Sequence, residues 1–194
     1  MKTFALAVAL GLAAAAPVFS ETIDPLQSET LIKKAINEPG TAYTFYGGGM
    51  TQKQMKDPDV PGGVFVRVDV SKKGDHPWDV GGGYPVLKPI KAGDVIFFAI
   101  YARAPNLKNG ETASLPQMGV CQDGSPYTPI AIGDHQITNQ WNVYYVSGKA
   151  TSAWHRGESH VALQLAADKQ VIDLGPVFVL DLGPDYDINT LPHN

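Results

Sequence analysis

Seven short runs, FVRVDV, DVIFFAIYAR, QMGVC, WNVYYV, HVALQLA, QVIDL and PVFVLDL, recur along this chain between turn signals, and a weaker eighth, AYTFY, precedes them. They are rich in β-branched and aromatic residues, and their length suits strands. With 20 glycines and 15 prolines as punctuation, this pattern predicts an all-β fold: a β-sandwich jelly roll. One helix is expected at most, in SETLIKKAINEPG. There Ser28 would cap it, Leu31, Ile32, Ala35 and Ile36 fall on one face, and Pro39-Gly40 would stop it. The triplets Gly47–Gly49 and Gly81–Gly83 fit no phosphate-binding spacing and read as turns.

The first residues, MKTFALAVALGLAAAAPVFSET, set Lys2 before an apolar run from Phe4 to Ala16 that is too short to span a bilayer. Residues 1–20 are therefore expected to be a cleaved signal peptide, and 21–194 one secreted or periplasmic domain. No membrane insertion is expected after cleavage, since no second apolar run is long enough to span. The net charge of −4 comes without any basic run, so nucleic-acid binding has no electrostatic support. Cys121 is the only cysteine. No internal disulfide can form, and its apolar setting in QMGVC reads as a buried, inert thiol.

Successive strand residues point to opposite faces. In VFVRVDV, Val64, Val66, Val68 and Val70 form an apolar face, with Phe65, Arg67 and Asp69 opposite. In DVIFFAIYAR, Ile96, Phe98, Ile100 and Ala102 read as core, with Val95, Phe97, Ala99, Tyr101 and Arg103 on the other side. HVALQLA turns Val161, Leu163 and Leu165 inward and His160, Ala162 and Gln164 outward; WNVYYV is ambiguous. Outer faces mixing Arg, Gln, His and Tyr read either as solvated surface or as a sugar-binding face. In the second case planar polar groups bond vicinal hydroxyls and aromatic rings stack on pyranose C–H faces.

GGVFVRVDVSKKGDHPWDVG, PIKAGDVIFFAIYARA, ITNQWNVYYVSGKAT and HVALQLAADKQVIDLGPVFVLDLG, in that order, resemble the carbohydrate-binding-module family 4/9 group of galactose-binding-like jelly rolls. The resemblance covers Gly62 to Gly183. It implies a sandwich with a ligand groove on one concave sheet or its rim, a polysaccharide or oligosaccharide ligand, and a glycoside hydrolase as the usual partner. It also implies that Trp141 packs into the sandwich and that Trp78, in a PWDV-like turn, is either a structural plug or a rim aromatic. The calcium many members carry lacks a counterpart, because Leu174-Gly175-Pro176-Val177 supplies no carboxylate. Backbone carbonyls with Asp173 or Asp181 would be needed, and no cofactor is expected. A stand-alone exported module, without an attached catalytic domain, is expected.

TSAWHRGESH, from Thr151 to His160, lies between two strand-like runs and sets an indole in an apparent loop. The expected site is Trp154 as a stacking platform, with His155 and Arg156 beside it and Trp78, Tyr84, Tyr101, Arg103 and Gln164 as further carbohydrate-binding candidates. The alternative is Trp154 packed beneath its own loop. The expected function is an exported module that binds a glycan without cleaving it. Two other readings stand beside it. One is a glycoside hydrolase using Glu158 with Asp79 or Asp69, or a polysaccharide lyase using His155, Arg156, His160, Tyr145 and Arg103. The other is an exported structural or adhesion subunit. No HxH, HExxH, CxxC or GxSxG spacing occurs.

Overall fold

Strands with one apolar face must cover it, and here two sheets cover each other. The structure, a computed structural model, describes residues 29–193; the expected signal peptide and Ser28 lie outside them. Its strands are β1 (Thr44–Tyr46), β2 (Met50–Lys56), β3 (Val64–Val70), β4 (Gly81–Pro85), β5 (Val95–Arg103), β6 (Ala113–Gln122), β7 (Pro129–Ile137), β8 (Asn142–Lys149), β9 (Ser159–Gln164) and β10 (Gln170–Asp181). They form two antiparallel sheets ordered β1-β4-β9-β6-β7 and β2-β3-β10-β5-β8. This is an all-β sandwich jelly roll.

The parity read in β3, β5 and β9 is the parity observed. Val66, Val68, Val70, Ile96, Phe98, Ile100, Val161, Leu163 and Leu165 fill the space between the sheets. Each fully buried side chain of this size contributes roughly 1.5–3 kcal/mol. Tyr144 and Val146 settle the ambiguity of β8 by joining that core, while Val143 and Tyr145 face the other way. QVIDL and PVFVLDL are one strand, β10, with a register shift between Leu174 and Val177.

The outer face of β5 is less solvated than its alternation suggests. Val95, Phe97 and Ala99 join Phe178 and Leu180 in a second apolar cluster, covered by Ala35, Leu182, Leu191 and the flanking Leu31, Ile32, Tyr186 and Ile188. The two ends of the described chain thus lie over one end of this sheet.

The expected helix is shortened by that packing. Helix α1 is a single turn, Glu29–Ile32, and the chain then pairs with β10. The Ile36 N–H donates to Val179 O at 2.8 Å, the Asp181 N–H to Lys34 O at 3.1 Å, and the Val177 N–H to Gly40 O at 3.0 Å. Asn37 clasps the same edge, donating from Nδ2 to Val177 O at 3.0 Å and accepting from the Val179 N–H at 2.8 Å. Strand β3 pairs only with Gln170–Leu174, so the remaining edge of β10 would otherwise leave buried backbone groups unpaired. Pairing there outweighs the helical spacing of Leu31, Ile32, Ala35 and Ile36.

Glycines correct one further expectation. Gly47–Gly49 does turn the chain between β1 and β2, but Gly81–Gly83 lies inside β4. Gly119, at φ +131°, meets β7 so closely that a Cβ would strike the Ala131 carbonyl oxygen.

Candidate functional site

Residues opposite one another in antiparallel strands share a face. On the first sheet Tyr46 stands opposite Gly81 and Thr44 opposite Gly83. Gly81 is opposite Gln164, Gly83 opposite Ala162 and Pro85 opposite His160. Across β9, Gly119 faces Ala162 and Cys121 faces His160. Since Val161 and Leu163 are core, this whole set points away from the sandwich. Its floor is glycine and alanine, and the Tyr46 phenol lies across Gly81, where any Cβ would collide with the ring. None of these outward residues is Lys or Arg.

Polar groups flank the floor. Gln164 Nε2 donates to Gln117 Oε1 at 2.9 Å, which fixes both amide planes. At the other end His160 Nε2 lies 4.0 Å from Cys121 Sγ. His160 Nδ1 is 3.5 Å from Asp123 Oδ1 but lacks hydrogen-bond geometry and is buried without a partner. Burial lowers the His160 pKa, with Asp123 opposing, so a neutral imidazole can both donate and accept here. Burial, and then Asp123, pushes the Cys121 thiol up to about 11, so it is not a thiolate nucleophile at neutral pH.

Aromatic rings border the same sheet. Among the described residues the exposed large apolar side chains are Tyr46, Trp78 and Tyr127, at 54%, 52% and 59% exposure. Trp78 rides on the turn Pro77–Asp79 that leads into β4, its ring stacked on His76 at 4.6 Å. Ala166 N–H to Pro77 O and Leu165 N–H to Val80 O, both 2.9 Å, hold that turn at the Gln164 end. Tyr127 belongs to the β6–β7 turn. The Tyr46 pKa is raised first by burial and then by nearby Tyr127 and Cys121.

Only Trp78 and Gln164 of the eight residues expected from sequence meet at this sheet. Trp154 is 6% exposed and part of the main core, joined to Ile90 by backbone bonds of 2.9 Å in both directions. The indole therefore offers no face for stacking, and that expectation is corrected. Tyr84 is buried likewise, its hydroxyl donating to Glu38 O at 2.8 Å. His155 and Arg156 are exposed on the loop that Trp154 anchors, where the His155 N–H donates to Glu158 Oε2 at 2.7 Å.

Tyr101 and Arg103 belong to the other sheet, and so does the setting of Trp141. Asp173, with a fully buried side chain, accepts from Arg67 Nε and Nη2 at 2.7 and 2.9 Å and from Arg103 Nε at 2.8 Å. Arg103 also reaches Asp57 at 2.9 Å and stacks 4.5 Å above the Trp141 ring. Trp141 Nε1 donates to Asp57 Oδ2 at 3.1 Å. Trp141 thus covers an ionic cluster outside the sandwich, correcting the expectation that it packs between the sheets. The Asp57 carboxyl is held below its ordinary range by the Asp59 N–H, then by Trp141 and Arg103.

These contacts decide the remaining candidates. Calcium does not fit Asp173, whose two oxygens are engaged by arginines. Nor does it fit Asp181, which accepts from the Gly183 N–H at 2.9 Å and shares a hydrogen bond with Asp94. Among the described residues no three acidic, His or Cys side chains gather to hold a metal. Asp79 precedes β4 and Glu158 precedes β9, so the length of a six-residue strand, about 20 Å, separates them; Asp69 is on the other sheet. Arg103 and Tyr145 face away from His160 in the same manner.

The Asp94–Asp181 pair yields a stability prediction. Burial, followed by Asp94, raises the Asp181 pKa above 3.8. The folded state then binds more protons than the unfolded state between 3.8 and the raised value, so stability falls as pH rises through that window. Asp181→Asn, whose amide can donate to Asp94, should raise Tm at neutral pH and leave it unchanged at pH below the window. Equal melting of both proteins at neutral pH would contradict the assignment.

No protein-family model and no curated protein matches the sequence. Solved structures do match. The second N-terminal cellulose-binding domain of Cellulomonas fimi β-1,4-glucanase C superposes with TM-score 0.55 at 16% identity, over 76% of this chain and 94% of that domain. A CBM4 structure gives 0.53 at 12% identity, over 78% and 99%. An arabinose-bound GH51 α-L-arabinofuranosidase gives 0.54 at 15% identity over 80% of this chain, which spans only 26% of that enzyme. Among the described residues no helix is long and apolar enough to cross a membrane. In fold, the chain is a β-sandwich jelly roll like that of the CBM4 structure.

Proposed function

We propose that the chain binds a polysaccharide or oligosaccharide, without cleaving it, on the outward face of sheet β1-β4-β9-β6-β7. The observation that carries this is the placement of Tyr46, Trp78 and Tyr127, the exposed large apolar side chains of the described residues, around a floor of glycine and alanine. Exposed apolar rings grouped on one face mark ligand-binding surfaces, and sugar C–H faces suit them. Gln117, Gln164 and neutral His160 supply hydrogen bonds for hydroxyls. Among the fold relatives, one is described as cellulose-binding and another holds arabinose, which supports the same class of ligand. A glycoside hydrolase is the natural partner, and the sequence of residues 1–20 supports export to the periplasm or the medium.

The test is a titration of residues 21–194 with soluble β-glucans, xylans and mannans, followed by Trp fluorescence and by product release. Tyr46→Ala and Tyr127→Ala should each weaken binding by about 1–3 kcal/mol, the range for aromatic stacking on a flat ligand, with melting unchanged. Reducing ends or ultraviolet-absorbing unsaturated products would overturn the non-cleaving reading. Silence toward every polymer would remove the carbohydrate reading itself.

A further inference from the structure

A second feature lies away from this sheet, at the end of the sandwich where β5 begins and β10 finishes. A hollow of about 460 Å³ opens there, lined by Lys33, Lys34, Lys88, Lys91, Asp94 and Asp181 among others. Its volume falls within the range of small-ligand sites, roughly 300–1,000 Å³. Four lysines line it in a chain whose net charge is −4.

None of these lysines has a carboxylate within 4.0 Å, although Lys34 is close enough to Asp181 to act on its carboxyl. Among the described residues every Lys or Arg ion pair within 4.0 Å belongs to Arg67 or Arg103. Two of the lysines are fastened to backbone instead: Lys34 Nζ donates to Leu182 O at 3.3 Å and Lys88 Nζ to Ala35 O at 2.7 Å. Each retains further donors. Lys33 and Lys91 are exposed at the mouth. The two carboxyl groups in the wall offset this charge only in part, two against four lysines. Asp94 Oδ2 accepts from the Lys91 N–H at 2.8 Å, and Asp181 is bonded to Asp94.

We propose that this hollow binds an oxyanion, either the carboxylate or sulfate of an acidic sugar or a free inorganic anion of the same shape. The two anchored lysines pre-position charge at the wall, and Lys33 and Lys91 close on the anion from the rim. Trp154 steadies the adjoining corner, because its backbone bonds to Ile90 fix the chain immediately before Lys91. This site is independent of the glycan face.

The experiment is a calorimetric titration of residues 21–194 at low ionic strength with sodium sulfate, with trigalacturonate and with a neutral galactose trimer. Sulfate and trigalacturonate should bind and weaken as sodium chloride is added. The double variant Lys33→Ala/Lys91→Ala, altered only at exposed positions, should lose about tenfold or more in affinity through a faster off-rate, as expected when charge contacts are removed. Asp181→Asn should tighten both anions, since it removes a carboxyl from the wall. Trigalacturonate binding tighter than sulfate assigns an acidic sugar; equal binding assigns the free anion. Saturation by neither, equal binding of the neutral trimer, or affinity unaltered in the double lysine variant would each overturn the proposal. Sulfate needs no sugar contact, so the titration reads the hollow even if every glycan fails on the aromatic face.

Discussion

Replacing Trp154 with alanine should destabilise the fold by about 3–5 kcal/mol, the range for truncating a buried aromatic, and lower the urea midpoint accordingly. The indole is 6% exposed within the main core, and its backbone closes a bridge to Ile90. Removal leaves a cavity beneath the loop that carries His155 and Arg156. Conditions that keep the variant folded should also keep its glycan affinity, because the ring faces no ligand. A Trp154→Ala protein that melts normally but no longer binds would reverse this assignment and restore the indole as a contact surface.

The second large effect is expected at Asp173. Its carboxylate is fully buried and engages two guanidinium groups. Asp173→Ala would leave Arg67 and Arg103 facing each other without their shared anion. Breaking a buried ion pair from one side costs about 3–5 kcal/mol. The arginines retain 32% and 21% side-chain exposure, so water can solvate them in part and the cost falls toward the lower end. Chemical denaturation of the variant checks this. A loss below about 1 kcal/mol, the scale of a surface pair, would mean that the cluster is solvated in solution. Asp57→Asn should cost less, since Asp57 sits at the cluster's outer edge and Arg103 keeps its bond to Asp173.

Much of the fold could be read from alternation, and the exceptions have physical causes. Val66, Val68 and Val70 point inward because a strand with one apolar face has one way to bury it. Strand β2, MTQKQMK, escaped notice because an edge strand has little to bury on either side and reads as polar loop. Strand β4 was mistaken for a turn because Gly81 and Gly83 serve as open floor instead of bending the chain. Long-range pairing with β10 drew Ala35 and Ile36 out of helical register, and nothing within a short window reports that.

The site was less legible than the fold. Gln164 and His160 followed from the parity of β9. Tyr46 had a signal too, since it alternates with the more buried Phe45 in AYTFY. Tyr127 had none, because its place depends on how the β6–β7 turn folds back. Trp154 misled because polar neighbours in sequence suggest exposure, while its burial comes from Ile90, far upstream.

The pairing of residues 34–40 with the last half of β10 also sets an order of events. Asn37 and Val177 are 140 residues apart in sequence, so this segment is made well before its partner strand. Until Val177 and Val179 exist, Asn37 has no clasp to make, and Leu31, Ile32 and Ala35 have no surface to cover. Contacts between chain ends are slow to form because a long loop must close first. The fold is therefore completed when these two segments meet, and a nascent chain lacking β10 must hold Leu31, Ile32 and Ala35 unsheltered.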